Sequence, residues 1–146
     1  MIHRITLIIC CLMLGACSQG IAPAKDRTDI PCSQKASCVS TSDSREDFYL
    51  APYILRPGVT LDQVKRVVLT LPGTKIADRD KDSQYLRVEC TSKILRIVDD
   101  LELKLTDFQL VVRSQSRADY PDFGANRRRA ETLRDKLDLA GLLDEP

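Results

Sequence analysis

The stretch Tyr85-Leu-Arg-Val-Glu-Cys-Thr-Ser-Lys-Ile-Leu-Arg-Ile-Val-Asp-Asp-Leu-Glu-Leu-Lys-Leu-Thr-Asp-Phe-Gln-Leu-Val-Val-Arg-Ser114 decides the fold. In its first part Leu86, Val88 and Cys90 alternate with Tyr85, Arg87 and Glu89, the period of a half-buried strand. From Ile94 to Leu105, residues Leu95, Ile97, Leu101, Leu103 and Leu105 share one parity, which predicts a long second strand. Thr106-Asp107 is a short turn, and Phe108–Ser114 reads as a third strand. Links this short join antiparallel neighbours.

Outward from this core the chain punctuates itself. Lys75–Arg79 is a weaker strand, and Asp78-Arg-Asp-Lys-Asp-Ser83 reads as the turn behind it. Before it, Leu61, Val64, Val67, Val68 and Leu71 recur at helical spacing, predicting a helix over 61–70. Thr60 and Gln63 form a capping box at its start, and Val59 with Val64 supplies a hydrophobic staple. Leu71-Pro72-Gly73 stops it. At the other end a helix is predicted over 126–139, capped by Asn126, with Ala130, Leu133, Leu137 and Ala140 facing inward and Gly141 ending it. The expectation is an α+β domain over 31–146: an antiparallel sheet of about four strands packed on one helix from the N-terminal side and one at the C-terminus.

The N-terminus carries a different signal. Met-Ile-His-Arg leads into an apolar run too short to span a bilayer, ending in Leu14-Gly15-Ala16-Cys17. This is the form of a lipobox: a small-residue cleavage site before a thiol that accepts a diacylglyceryl group. Residues 1–16 are read as a signal peptide and Cys17 as the lipid-bearing N-terminus, which anchors the protein to a membrane without a spanning helix. Ser18, rather than Asp, after the cysteine favours the outer membrane, facing the periplasm. Residues 17–30, polar with Gly and Pro, read as a flexible tether holding the domain on the order of 20 Å from the membrane.

This reading sorts the six cysteines. Cys10 and Cys11 leave with the signal peptide and Cys17 is lipidated. Cys32, Cys38 and Cys90 remain in a compartment that permits disulfides. Cys32 and Cys38 close a short loop and are expected to bridge, the alternative being two free thiols; Cys90 sits on an apolar parity as a small buried hydrophobe. His3 is the only histidine and lies in the signal peptide, so Ser-His and Cys-His catalytic pairs and histidine metal sites are excluded from the mature chain. No cofactor or metal is expected. The mature part carries equal numbers of basic and acidic residues, so no global charge draws it to nucleic acid.

Arg113–Glu131 holds the least ordinary chemistry. Arg127, Arg128 and Arg129 fall in the first turn of the last helix, where the helix dipole disfavours cations by roughly 0.3–1 kcal/mol each. Arg113 and Arg117 are close enough in sequence to approach the same corner. Asp99, Asp100, Asp119 and Asp122 are the candidate anions, and Asp99 points inward unless a bulge at 99–100 breaks the parity.

Pro31-Cys-Ser-Gln-Lys-Ala-Ser-Cys-Val-Ser40, Val98-Asp-Asp100, Arg113-Ser-Gln-Ser-Arg117 and Asp122-Phe-Gly-Ala-Asn-Arg-Arg-Arg-Ala-Glu131 together resemble the family of the domain of unknown function 1499, over about 31–134. The positions that match are Cys32, Cys38, Asp99, Asp100, Arg113, Ser114, Ser116, Arg117, Asp122, Gly124, Asn126, Arg127, Arg129 and Glu131. Ala36-Ser37, Gln115 and Asp119 depart from the pattern. The resemblance implies no activity.

Three functional classes remain open. A non-catalytic binding module would hold a small anionic or polar ligand at the Arg/Asp/Ser corner, as helix N-termini do; the same residues could instead form a self-satisfied structural network. An enzyme would use Asp99 or Asp100 with arginines, although adjacent strand residues face opposite ways. A scaffold would bind an envelope protein through an exposed apolar patch.

Overall fold

The computed structural model describes residues 20–144 apart from 24, 35, 36 and 120. The signal peptide over 1–16 and Cys17 lie outside the described residues. An α+β architecture is observed, with six antiparallel strands where about four were expected. The strands are β1 (Cys38–Ser40), β2 (Tyr53–Ile54), β3 (Thr74–Asp80), β4 (Tyr85–Thr91), β5 (Val98–Leu105) and β6 (Gln109–Ser116). Helix α1 spans Leu61–Val68 and α2 spans Ala125–Leu139. The sheet order is β1-β6-β5-β4-β3, and β2 also pairs with β6, beyond β1 along the same edge. The additional strands are three and two residues long, too short for periodicity to reveal.

Strand alternation divides the sheet into two faces. Leu86, Val88, Cys90, Leu101, Leu103, Leu110 and Val112 meet α1 and α2 in one core. On α1 the capping box forms as expected: the Gln63 amide donates to Thr60 Oγ1 at 3.3 Å and Thr60 N–H donates to Gln63 Oε1 at 2.8 Å. Leu61, Val64 and Val68 are buried, and Val59 packs on the same core. Helix α2 ends in a Schellman motif. Gly141, at φ 70°, donates to Asp138 O, and Leu142 N–H donates to Leu137 O.

Four other expectations are corrected. The predicted turn at 78–83 is partly strand, because β3 runs to Asp80 beside Tyr85. The strand predicted from Ile94 begins at Val98; residues 92–97 form a loop, with Leu95 exposed rather than inward. The shared parity of Leu95 and Ile97 with β5 was real, but no strand pairs with them. Asn126 is not the cap of α2: Gly124 is, at φ 80°, and Asn126 is buried inside the first turn. Residues 26–30, expected in the tether, pack across the sheet face away from the helices, and Thr28 is buried. That face is unusually charged, and polar residues are what it can bind.

Candidate functional site

The residues of the expected corner are divided by the sheet. Pairing sets Asp99 opposite Cys90 and Ser116, and Leu101 opposite Ser114. Asp99, Ser114 and Ser116 therefore face α2. Asp100, Arg113 and Arg117 carry the other parity and face the N-terminal segment. No bulge interrupts β5, so Asp99 points inward as its parity predicts.

On the helix side Asn126 is the hub. Its Oδ1 accepts from Ser114 Oγ at 2.7 Å and Arg129 Nη1 at 3.0 Å. Its amide nitrogen donates to Ser116 Oγ at 2.9 Å, Asp122 Oδ2 at 2.8 Å and Ser37 O at 3.2 Å. Asp122 does the capping that Gly124 cannot: its oxygens accept from the Gly124 and Asn126 backbone amides at 3.0 and 2.9 Å. Burial works against the ionised form of Asp122, but these amides outweigh it and hold its pKa below the ordinary value. Arg129 Nη2 then reaches Asp99 Oδ2 at 2.6 Å.

On the opposite face Arg117 grips Asp100 with two bonds of 2.7 Å and adds a third to Glu89, also 2.7 Å. Arg87 joins Asp100 at 2.9 Å. The Asp100 pairing, strengthened by Glu89, raises the Arg117 pKa above its usual value despite partial burial. Buried Glu102 accepts from Tyr85 Oη at 2.8 Å and from Arg27 Nε at 2.9 Å. Arg113 donates to Ile30 O and to Gln115 Oε1, with Nε 3.9 Å from Glu102. Burial and the nearby Arg27 charge lower its pKa, opposed by Glu102. Arg127 belongs to neither network; it donates to the Tyr49 and Asp47 carbonyls at 2.9 and 3.1 Å.

The expected single corner is thus two networks and one outlying arginine. Arg87, Glu89, Glu102 and Arg27 escaped the sequence reading. The signal for Arg87, Glu89 and Glu102 lay in β4 and β5, where Arg87 and Glu89 stand opposite Glu102 and Asp100 across the strand pair; Arg27 fell in the stretch read as tether. The disulfide joins Cys32 and Cys38, with Cα atoms 5.8 Å apart, and Cys90 is free and buried. Burial raises the Cys90 thiol to about 11, so it is neutral and unreactive. Beside the disulfide, Asp43 accepts from the Cys32 amide at 2.9 Å and from the Arg45 guanidinium.

Above the helix-side network lies a cavity of about 650 Å³. Its floor is Asp99, Ser116, Asp122 and Arg129; its walls include Ile94, Leu95, Ile97, Ala118, Pro121 and Phe123. Asp99 is the open element. Arg129 occupies its Oδ2, while Oδ1 is buried and takes no hydrogen bond among the described residues. A buried acceptor without a donor is costly unless something supplies one. A second cleft of about 590 Å³ adjoins, sharing Ser92, Lys93, Ala125 and Arg129 and adding Arg96 and Arg128. Among the described residues no group of three or more His, Cys, Asp or Glu converges as metal ligands would.

A family model, described as protein of unknown function (DUF1499), matches residues 30–137. The chain belongs to that family. No curated protein and no solved structure matches it.

Proposed function

We propose that this member of the DUF1499 family is a lipid-anchored envelope protein that binds, without catalysis, a small amphiphile in the cavity at the start of α2. The observation that carries the binding reading is the pairing of apolar walls with a polar lining of Asp99, Ser116 and Arg129, in which the buried Asp99 Oδ1 takes no hydrogen bond among the described residues. The ligand that fits has an apolar body for Ile94, Leu95 and Phe123 and a hydroxyl or amine to donate to Asp99. An anion seated on the motif arginines is less well supported. Arg117 and Arg129 are already ion-paired with Asp100 and Asp99, and Arg113 and Arg127 are held by carbonyl and amide oxygens. Catalysis by Asp99 with Asp100 has no support from the geometry, since the two carboxylates lie on opposite faces of the sheet.

Lipidation at Cys17, a signal peptide over 1–16 and a periplasmic, outer-membrane position rest on Leu14-Gly-Ala-Cys17 and Ser18. The Cys32–Cys38 bridge is consistent with an oxidising compartment.

The binding test is displacement of Nile red from the purified protein. A monoacylglycerol, which carries hydroxyls, is expected to displace the dye better than the fatty acid of equal chain length. Ala118→Trp, which fills the cavity from its wall, is expected to abolish dye binding while leaving the circular dichroism spectrum unchanged. Preference for the fatty acid anion would favour the arginine-centred reading, and absence of displacement by either would reject the cavity as a site.

A further inference from the structure

The cavity opens on a surface with a distinct composition. The loop 92–97, the end of β6 and the start of α2 meet at one end of the domain, where Ile94, Leu95 and Phe123 are 88%, 75% and 87% exposed. Solvated monomeric surfaces rarely cluster large apolar side chains in this way. Around them stand exposed Lys93, Arg96 and Arg128. Lys93 and Arg96 make no ion pair among the described residues, so their charge is uncommitted. Apolar side chains ringed by cations are the composition of a surface that sits in the interface of an anionic membrane.

The chain itself indicates which end faces the bilayer. Gly20 lies directly against Arg117: a Cβ added to Gly20 would stand 2.7 Å from Arg117 Cβ. Arg117 precedes Ala118, a wall of the cavity. Two residues, Ser18 and Gln19, lie between Cys17 and Gly20, and three extended Cα–Cα steps span at most about 10 Å. The attachment point for the lipid is therefore confined to the end that carries the cavity mouth. The opposite end, at the β5–β6 turn with Phe108, is a full strand length away.

We propose that the domain lies with this end on an anionic phospholipid membrane. Ile94, Leu95 and Phe123 enter the interface, Lys93, Arg96 and Arg128 meet the headgroups, and the cavity opens toward the bilayer. The orientation rests on the reading of Cys17 as the lipid-bearing residue. It gives an amphiphile a route from membrane to cavity that avoids water.

The test uses the full chain with its own leader, carrying I94C, F123C or F108C and a bimane label. The buried, neutral Cys90 stays unlabelled, and the chain without an added cysteine, treated in parallel, reports any label on Cys17. Each protein is reconstituted into phosphatidylethanolamine–phosphatidylglycerol vesicles containing nitroxide-labelled acyl chains. Quenching at 94 and 123 is expected to exceed that at 108 several-fold and to fall when phosphatidylglycerol is replaced by phosphatidylcholine. Equal, weak quenching at all three positions would overturn the orientation. The intact mass of the same preparation separates the two readings. Lipid on Cys17 with no quenching at 94 and 123 rejects the docking and leaves the anchor. No lipid on Cys17, with quenching retained on added vesicles, rejects the anchor and sustains the docking. Loss of both rejects both.

Discussion

Asp99 and Asp100 are chain neighbours with separate partners, and the separation has measurable consequences. Asp99 pairs with Arg129 on the helix side; Asp100 pairs with Arg117 and Arg87 on the other. Removing one member of a buried pair strands the other, so Asp99→Asn is expected to destabilise by about 3 kcal/mol in urea unfolding. Paired with Arg129→Met, its effects should be less than additive by 1 kcal/mol or more (order of magnitude), whereas with Arg117→Met they should add within about 0.5 kcal/mol. Strong coupling between Asp99 and Arg117 would contradict the two-network description. Asp43 gives a prediction in pH. Its bonds from the Arg45 guanidinium, with further help from the Arg45 and Cys32 amides, hold its pKa far below the ordinary carboxylate value despite burial. A depressed folded pKa adds stability that is present above the unfolded value of about 3.9 and is lost as pH falls below it toward the folded one. The midpoint of thermal unfolding of Asp43→Asn should therefore lie below that of the wild type at neutral pH and approach it as the pH drops below about 4. A difference that stays constant with pH would show that Asp43 is not ionised in this clasp. The inward direction of Asp99 was legible because parity fixes direction along an unbroken strand. Its pairing with Arg129 rather than Arg113 or Arg117 was not, because that depends on the register with β6.

The first turn of α2 shows why three consecutive arginines are tolerated there. Asp122, two residues before the Gly124 cap, places a carboxylate on the free amides, and the arginine side chains leave the axis for Asp99, the Phe123 carbonyl and the 47–49 loop. Asp122→Ala removes the capping acceptor and is expected to cost roughly 1–2 kcal/mol. Gly124→Ala, forced to a positive φ, should cost about 1 kcal/mol, chiefly from backbone strain. Urea midpoints measure both, and an unchanged midpoint for Asp122→Ala would assign the capping to water. Elements with a complete local signature were legible: Thr60 and Gln63 announced α1, and alternation announced β4. Those whose signature was borrowed for another purpose were not. Leu95 and Ile97 continue the parity of β5, yet they line the cavity. Asn126 has the chemistry of a cap but is consumed as the hub between β6 and α2. Residues 26–30 look like a linker because the sheet face they cover is itself charged.

At the scale of the molecule, the sheet separates two jobs. One face, closed by the N-terminal segment, buries Asp100, Glu102 and Arg113 in ion pairs and hydrogen bonds; the other packs the helices and, at one end, leaves the cavity. The α+β class and the antiparallel pairing of neighbouring strands were readable from the sequence, since short links leave few alternatives. The cavity was not, because it arises from where a loop, a strand end and a helix start converge, and no local pattern encodes that. Unreduced peptide mapping should return one Cys32–Cys38 link, with Cys90 unmodified by iodoacetamide until the protein is unfolded; alkylation of the native thiol would contradict its burial. The central claim is that the cavity over Asp99 takes the donor group of an amphiphile, and a heteronuclear NMR titration with monoacylglycerol tests it most directly. Saturable shifts are expected at amides of 92–99 and 116–125, with the 85–89 and 26–30 amides unmoved. Absence of saturable shifts, or shifts centred on Arg87 and Arg117, would contradict it.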